Sequence, residues 1–310
     1  MRSWAIFAVV VLAAVVIDAW LMRRRPAGRI TLKAALVESA GWVALALTFG
    51  IWVYLSQGRQ AGGEFAAGYL IETSLSLDNI LLFLIVFRTF EVAAQHQHRV
   101  LYLGVAGALV MRAAFVFAGI ALLRRFEFVG IIFGAILLIA GARMLWVEAR
   151  SSGEAEGRWA VRAVRRIFPL AENNASGAEG TRFWIKRDGK WNPTPLFLAL
   201  VVVEVVDLIF AIDSVPAVLA VTRNPFVAYS SNVFAVLGLR SMYFALAALL
   251  PRFRFLHAGL AAILIFVGAE MASAGHFRLS TGGTLGVLAA IVGIMVAASL
   301  LWPKRVSGDS

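Results

Sequence analysis

Nine apolar runs in the sequence are each about as long as a helix that crosses a lipid bilayer. A hydrocarbon core about 30 Å thick requires roughly 20 apolar residues in a helix. Because backbone polar groups find no water inside a bilayer, each run must satisfy its own hydrogen bonds as a helix. The runs therefore predict an all-α membrane protein with about nine transmembrane helices. The predicted spans are 4–21, 34–55, 65–87, 100–123, 127–147, 195–221, 230–250, 255–275 and 283–302.

The composition excludes several other classes of protein. Of the 310 residues, 61% are hydrophobic and 15% are charged, against roughly a quarter charged in soluble domains. This excludes a soluble enzyme, a disordered chain and a nucleic-acid-binding domain. The chain has no cysteine, so disulfides and thiolate metal sites are also excluded. No phosphate loop, HExxH motif or nucleophile–base pair is present, so we expect neither an enzyme nor a prosthetic group.

The distribution of basic residues predicts the orientation. If the N-terminus is outside, the cytoplasmic segments hold 20 of the 29 Lys and Arg residues and the outer segments hold six. We expect the N-terminus outside and the C-terminus in the cytoplasm, in the plasma (bacterial inner) membrane. The first run is interpreted as a retained span, because it ends in Arg23-Arg24-Arg25 without a cleavage site for a signal peptidase.

One long polar segment divides the predicted spans. Within it, 158–170 is predicted to be a basic amphipathic helix on anionic headgroups, and TRFWIKRDGKW to be a small hairpin. The segment serves either as a linker or as a regulatory element. The predicted parts are an N-terminal span with a basic cytoplasmic loop (1–33), spans two to five (34–148), the cytoplasmic loop (149–194), spans six to nine (195–302) and a cytoplasmic tail (303–310).

Two blocks of three spans resemble each other. In the first block Arg112 is followed by LLRRFEF and GARM. In the second block Arg240 is followed by LLPRFRF and GAEM, and each of these three features lies 127 or 128 residues after its counterpart in the first block. Ahead of these, two acidic residues lie six positions apart in both blocks. An odd number of spans per block makes the second copy enter the membrane from the opposite side. Spans 3–5 and 6–8 therefore predict an inverted repeat, which is typical of transporters with a substrate site at the midplane; the alternative is a duplication that only builds a symmetric bundle.

Five carboxylates lie inside spans 3 and 6. Each costs about 2.5–3.5 kcal/mol to insert at mid-span, so something must compensate them. Arg112 and Arg240, also mid-span, can pair with two of the acids, which leaves three to be protonated, hydrated or bound to a cation. A purely structural network of ion pairs is the alternative. The five residues are Glu72, Asp78, Glu204, Asp207 and Asp213.

The spacing of these residues suggests an oxygen-rich cation site. Glu204 and Asp207 lie on one helix face and can face one ion, whereas a straight helix cannot aim both acids of a six-residue pair at one point. Pro216 is expected to kink or break span 6. Asn79 and Ser214 add neutral oxygens to the predicted ligands. Such donors suit Mg²⁺, Ca²⁺ and Mn²⁺, so the residues indicate a hard divalent cation or a proton.

Other polar residues receive structural interpretations. Arg143 and Glu270, at equivalent repeat positions, are expected to snorkel or to act as gating charges. Asp18 and Glu38 lie near span ends and give little signal. The histidines are expected to be interfacial rather than ligands; they are His96, His98, His257 and His276.

The sequence resembles the TerC/Alx family of bacterial integral membrane proteins over residues 30–300. The resemblance rests on GYLIETSLSLDNILLFLIVF, QHQHRVLYLGVAGALVMRA, the long motif from TPLFLALVVVEVVDLIFAIDSVPAV to SMYFAL, and RFRFLHAGLAAILIFVGAEM. The family is associated with manganese export, tellurium resistance and alkaline-pH-responsive expression. Glu270 departs from the lysine expected in many relatives. The resemblance assigns the acidic motif positions to Glu72, Asp78, Asn79, Glu204, Asp207, Asp213 and Ser214.

The resemblance implies a function that the residues alone do not specify. We expect a secondary transporter that exports Mn²⁺ by alternating access, with proton exchange as one means of resetting it and with Mg²⁺ and Ca²⁺ as other cargo ions. The rival hypothesis is a non-transporting scaffold or stress-response protein with structural charge pairs. Export of tellurite or another anion conflicts with the excess of acids. The expected partners are lipids, the cation and protons, without nucleic acid; the oligomeric state is left open.

Overall fold

A computed structural model describes residues 1–24, 31–148, 182–187, 190–249, 255–273 and 279–302. Within these ranges the chain forms nine helices and one β-hairpin, which confirms the all-α class and the number of helices. The amphipathic helix predicted at 158–170 lies outside the described residues. The helices are α1 (Arg2–Arg24), α2 (Leu32–Gln57), α3 (Arg59–Thr89), α4 (Ala94–Arg125), α5 (Phe128–Glu148), α6 (Pro195–Val221), α7 (Pro225–Leu249), α8 (Leu256–Ala272) and α9 (Thr281–Leu301).

Seven of these helices, α1 to α6 and α9, are long and apolar enough to cross a membrane. The other two predicted spans also form helices: α8 is apolar but has 17 residues, and α7, which carries Asn232 and Arg240, is not among the seven found in the described residues. Every residue of α7 from Ser230 to Ser241 is buried. Because other helices of the bundle surround this stretch, its polar side chains need not face lipid.

Local sequence signals define several helix ends. Thr31, Thr194 and Ser280 are N-caps whose hydroxyl oxygens accept hydrogen bonds from the backbone three residues later, at 3.3, 3.3 and 3.2 Å. Gly58, with φ of +97°, separates α2 from α3, and only glycine adopts this conformation easily. These ends fix where the long helices start.

The predicted hairpin is confirmed within the polar segment. Strand β1 (Trp184–Arg187) pairs antiparallel with β2 (Lys190–Pro193), with Ile185 opposite Asn192. The hydroxyl of Thr194 donates a hydrogen bond to the carbonyl of Arg182 at 2.7 Å. The hairpin is thereby tied to the first turn of α6.

Equivalent helices of the two three-helix blocks pack against each other and run antiparallel. In α3 and α6, Glu64 contacts Thr222, whereas Glu72 and Asp207 meet at a common arginine further along. In α4 and α7, Gln97 bonds to Tyr243. These directions agree with an inverted repeat, which itself stays a prediction. Pro216 does not break α6, which continues to Val221.

Glycines allow α5 and α8 to pack closely. A Cβ atom at Gly134 would lie 2.5 Å from the backbone nitrogen of Ala272, and one at Gly268 would lie 3.0 Å from the carbonyl oxygen of Gly134. Because both obstacles are backbone atoms, a larger residue would push the two helices apart. Gly134 and Gly268 thus have a packing role, as small residues have in other membrane bundles.

Two apolar clusters enclose a polar layer in the middle of the bundle. On α3, Ala67 and Ile71 belong to one cluster and the buried apolar residues from Ile80 onward belong to the other. On α6, the same division falls between Val206 and Ala211. The acidic motifs of α3 and α6 thus lie where the two apolar clusters meet.

Candidate functional site: a buried charged layer and its cavity

Arg112 of α4 is the centre of the polar layer. Its side chain is buried and forms ion pairs with Glu72 of α3 and with Asp207 of α6, the latter at 3.1 Å between Nη2 and Oδ1. The Nε atom also donates to Oδ2 of Asp207 at 3.4 Å. A bidentate arginine–carboxylate contact of this kind is strongly directional. The structure thus pairs Arg112 with one acid of span 3 and one acid of span 6.

Further polar contacts complete this network. The second carboxylate oxygen of Glu72 accepts a hydrogen bond from Nδ2 of Asn232 at 3.0 Å, and Arg112 donates to the hydroxyl of Ser214 at 3.4 Å. Asn232 was missed by the sequence reasoning. Its signal is the polar run Ser230-Ser231-Asn232 inside a largely apolar helix.

A cavity of about 30 Å³ adjoins the network, between α3, α5, α6 and α8. This exceeds the roughly 10–15 Å³ that one water molecule needs. Five of the seven predicted metal ligands line it, so the structure brings these residues together. The lining residues are Glu72, Leu75, Asp78, Asn79, Met144, Phe210, Asp213, Ser214, Leu260 and Leu264.

Glu72 and Asp78 both line this cavity. Their six-residue spacing had predicted that a straight helix could not direct both side chains at one point. The cavity spans more than one helical turn of α3, so two side chains on different faces reach its wall. Asn79, 1% exposed, also lines the cavity, and its Oδ1 atom has no hydrogen-bond partner. An unpaired buried carbonyl oxygen is costly, and a cation in the cavity is one means of compensating it.

Asp78 has a neighbour that the sequence interpretation assigned to the membrane interface. The Nε2 atom of His257 lies 3.3 Å from Oδ1 of Asp78, and about a third of the His257 side chain is exposed. His257 is the second residue of α8, so its position near a helix end was predicted correctly. Its contact with a site carboxylate was not predicted.

Two of the predicted ligands lie away from the cavity lining. Asp207 is held by Arg112, and the carboxyl group of Glu204 lies against Gly107 of α4, where a Cβ atom would be 2.2 Å from its Oε1. The spacing of Glu204 and Asp207 suggested that both could face one ion. The structure does not place them together in the wall of this cavity. Among the described residues, no three His, Asp or Glu side chains are grouped as a preformed metal cluster.

Arg240 has different partners from those considered for it. Its Nη2 atom pairs with Asp18 of α1 at 2.5 Å and with Glu38 of α2. It therefore compensates no acid of α3 or α6. The interpretation of Asp18 and Glu38 as uninformative was wrong, because both are held in this largely buried cluster, which joins α7 to the first two helices.

The remaining predicted charges lie outside the polar layer. Glu270 accepts hydrogen bonds from the hydroxyl of Thr284 and the backbone nitrogen of Leu279, each at 3.3 Å. It thus connects the end of α8 to the start of α9. The side chain of Arg143 is exposed on α5. Snorkelling and gating remain predictions for these two residues.

The helices and the polar layer define a class, an integral membrane protein with a buried charged site. Residues 57–307 match the sequence profile of the integral membrane protein TerC family, so the chain belongs to the TerC family. It is 40% identical to the membrane protein STKORF319 of Myxococcus xanthus, over 96% of this chain and 92% of the relative. It is also 40% identical to a protein of Escherichia coli K12 named "Putative membrane-bound redox modulator Alx", over 96% of this chain and 93% of the relative. No solved structure matches the chain.

The Arg240 cluster gives a first testable prediction. Arg240→Leu should lower the free energy of unfolding by about 3–5 kcal/mol, because it removes the guanidinium group that pairs with two largely buried carboxylates. Neutralising both carboxylates as well, with Asp18→Asn and Glu38→Gln, should recover most of the loss. Thermal unfolding of the purified variants in detergent measures both effects. A triple variant no more stable than Arg240→Leu would contradict this account.

Proposed function

We propose that this protein is a secondary transporter that exports a hard divalent cation, Mn²⁺ in the first place, from the cytoplasm. The observation that carries the proposal is the cavity inside an apolar bundle. It is lined by the carboxylates of Glu72, Asp78 and Asp213, the unpaired amide oxygen of Asn79 and the hydroxyl of Ser214.

The donor set supports a cation as cargo. Carboxylate, amide and hydroxyl oxygens are ligands for Mn²⁺, Mg²⁺ and Ca²⁺. Glu72 is engaged by Arg112 and Asn232, so it contributes fixed negative potential, while Asp78 and Asp213 act as ligands. The preference for Mn²⁺ within this group rests on the resemblance to the TerC/Alx family.

The division of charges suggests how the carrier works. The triad of Arg112, Glu72 and Asp207 has a formal charge of −1, which attracts a cation to the adjacent cavity. In this proposal the ion draws the carboxylates that line the cavity closer together as it binds. Such rearrangement is what a carrier requires, because a ligand drives a conformational change only if it binds two states differently. Protons that replace the ion on the carboxylates reset the carrier.

The proposed orientation places the site between the cytoplasm and the exterior. We place the protein in the bacterial inner membrane, with the N-terminus outside and the C-terminus in the cytoplasm, because most basic residues then lie on the cytoplasmic side. Export from the cytoplasm follows if the ion is taken up on that side.

The competing function is a membrane scaffold or stress-response protein in which the charges are structural. The extensive contacts of Arg112 are compatible with it. The name of the Escherichia coli relative refers to redox modulation. A chain without cysteine cannot act by thiol–disulfide exchange of its own. A scaffold predicts no flux through the purified protein and unchanged Mn²⁺ content in cells that lack it.

The cavity carboxylates give the decisive variant. Purified protein in liposomes should transport Mn²⁺, and Asp213→Asn should lower the flux at least tenfold, because the ion loses a charged ligand. Glu127→Gln, which removes one negative charge in the exposed connection between α4 and α5, is the matched control and should leave the flux unchanged. Undiminished flux in Asp213→Asn would contradict the proposed site, and no flux in the wild type would favour the scaffold.

The orientation can be tested with introduced cysteines, since the chain has none of its own. Arg59→Cys, at the first residue of α3, and Ala93→Cys, at the exposed N-cap of α4 just beyond the other end of α3, place thiols on opposite sides of the membrane in the proposed topology. A membrane-impermeant maleimide should label the first variant in intact cells and the second only after the membrane is permeabilised. The reverse labelling pattern would show that the protein has the opposite orientation in the membrane.

A further inference from the structure

One residue in the wall of the cavity carries a donor other than oxygen. Met144 of α5 lines the cavity, and its thioether sulfur is a soft ligand. Both methionines pack against apolar clusters, but Met271 of α8, the counterpart of Met144 in the second repeat motif, is not among the residues that line this cavity. The two methionines thus occupy equivalent sequence positions in different surroundings.

His257 brings a second such donor to the same cavity. It shares a face of α8 with Leu260 and Leu264, which lie three and seven positions later and both line the cavity. Its Nε2 atom lies 3.3 Å from Oδ1 of Asp78, itself a lining residue. The imidazole therefore lies at the edge of the cavity, next to one of the proposed carboxylate ligands.

These two donors bear on which divalent ion the site takes. Mg²⁺ demands oxygen ligands in near-ideal octahedral geometry, and Ca²⁺ also takes oxygen ligands. Imidazole nitrogen and thioether sulfur instead suit transition metals. Replacing oxygen donors by nitrogen and sulfur therefore penalises Mg²⁺ and Ca²⁺ more than a first-row transition metal.

We propose that His257 and Met144 complete the ligand set with Asp78 and Asp213, and that they restrict the cargo to first-row transition metal ions. This inference rests on the proposed function, because it concerns the same cavity. It adds two ligands that the spacing of the acids did not indicate. It also gives a structural reason why the site would prefer a first-row transition metal ion such as Mn²⁺ over Mg²⁺ and Ca²⁺.

Magnetic resonance of bound Mn²⁺ tests the nitrogen ligand directly. Full-length protein in detergent, loaded with Mn²⁺ alone, should show a ¹⁴N modulation in the electron spin echo, characteristic of a directly bound imidazole. His257→Gln, which keeps an oxygen donor, should abolish this modulation. His98→Gln, near the start of α4 and outside the cavity lining, is the control and should retain the modulation.

The outcomes separate the two proposals. Bound Mn²⁺ without the ¹⁴N modulation in the wild type, or with the same modulation in His257→Gln, overturns His257 as a ligand and leaves the proposed function intact. Failure of the wild type to bind Mn²⁺ at all overturns the proposed function. Thermal unfolding of each variant identifies any that has lost its fold.

Competition between ions tests the sulfur ligand. The affinity for Mn²⁺ relative to Ca²⁺ should fall about tenfold in Met144→Leu, and the affinity for Cd²⁺, a softer ion, should fall further. Met271→Leu, the matched control, should leave both unchanged. Titration of Ca²⁺ and Cd²⁺ against bound Mn²⁺, followed by the resonance of the released ion, gives the ratios. Ratios in Met144→Leu equal to those of the wild type would overturn the role of Met144.

Discussion

The contact between Arg112 and two carboxylates is the interaction on which the bundle depends. Glu72, Asp207 and Arg112 come from three different helices and are all buried. Each charge alone would be expensive in an apolar interior, so α3, α4 and α6 must pack together in the one arrangement that brings them into contact. Two apolar clusters then pack on either side of this layer.

The same residue types serve different purposes in neighbouring places. Acids held by arginine fix the helices, as at Glu72 and Asp207, or join α7 to α1 and α2, as at Asp18 and Glu38. Asp78 instead lines the cavity next to His257. A buried ion pair is by itself weak support for function. The functional argument therefore rests on the cavity and on the unpaired oxygen of Asn79, rather than on the number of buried charges.

Much of the fold follows from the sequence because the determining signals are local. Apolar runs predicted the nine helices, and the stretch TRFWIKRDGKW predicted the hairpin. The pairing of Arg112 was also predictable, since few partners exist at mid-span. The partners of Arg240 were not, because the repeat suggested equivalent partners and the extra helices α1 and α2 supplied others. The contacts of His257 and of Glu204 depend on how helices distant in sequence are packed, which spacing within one helix cannot give.

The most direct test of the account is the position of a bound ion. A crystal of the full-length protein grown with Mn²⁺ and measured near the manganese absorption edge should show an anomalous peak between α3, α5, α6 and α8. The ion should lie about 2.0–2.6 Å from oxygens of Asp78 and Asp213, as hard divalent cations do from carboxylates. An empty cavity in crystals whose manganese lies only on surface acids would contradict the central claim that this buried layer carries a cation.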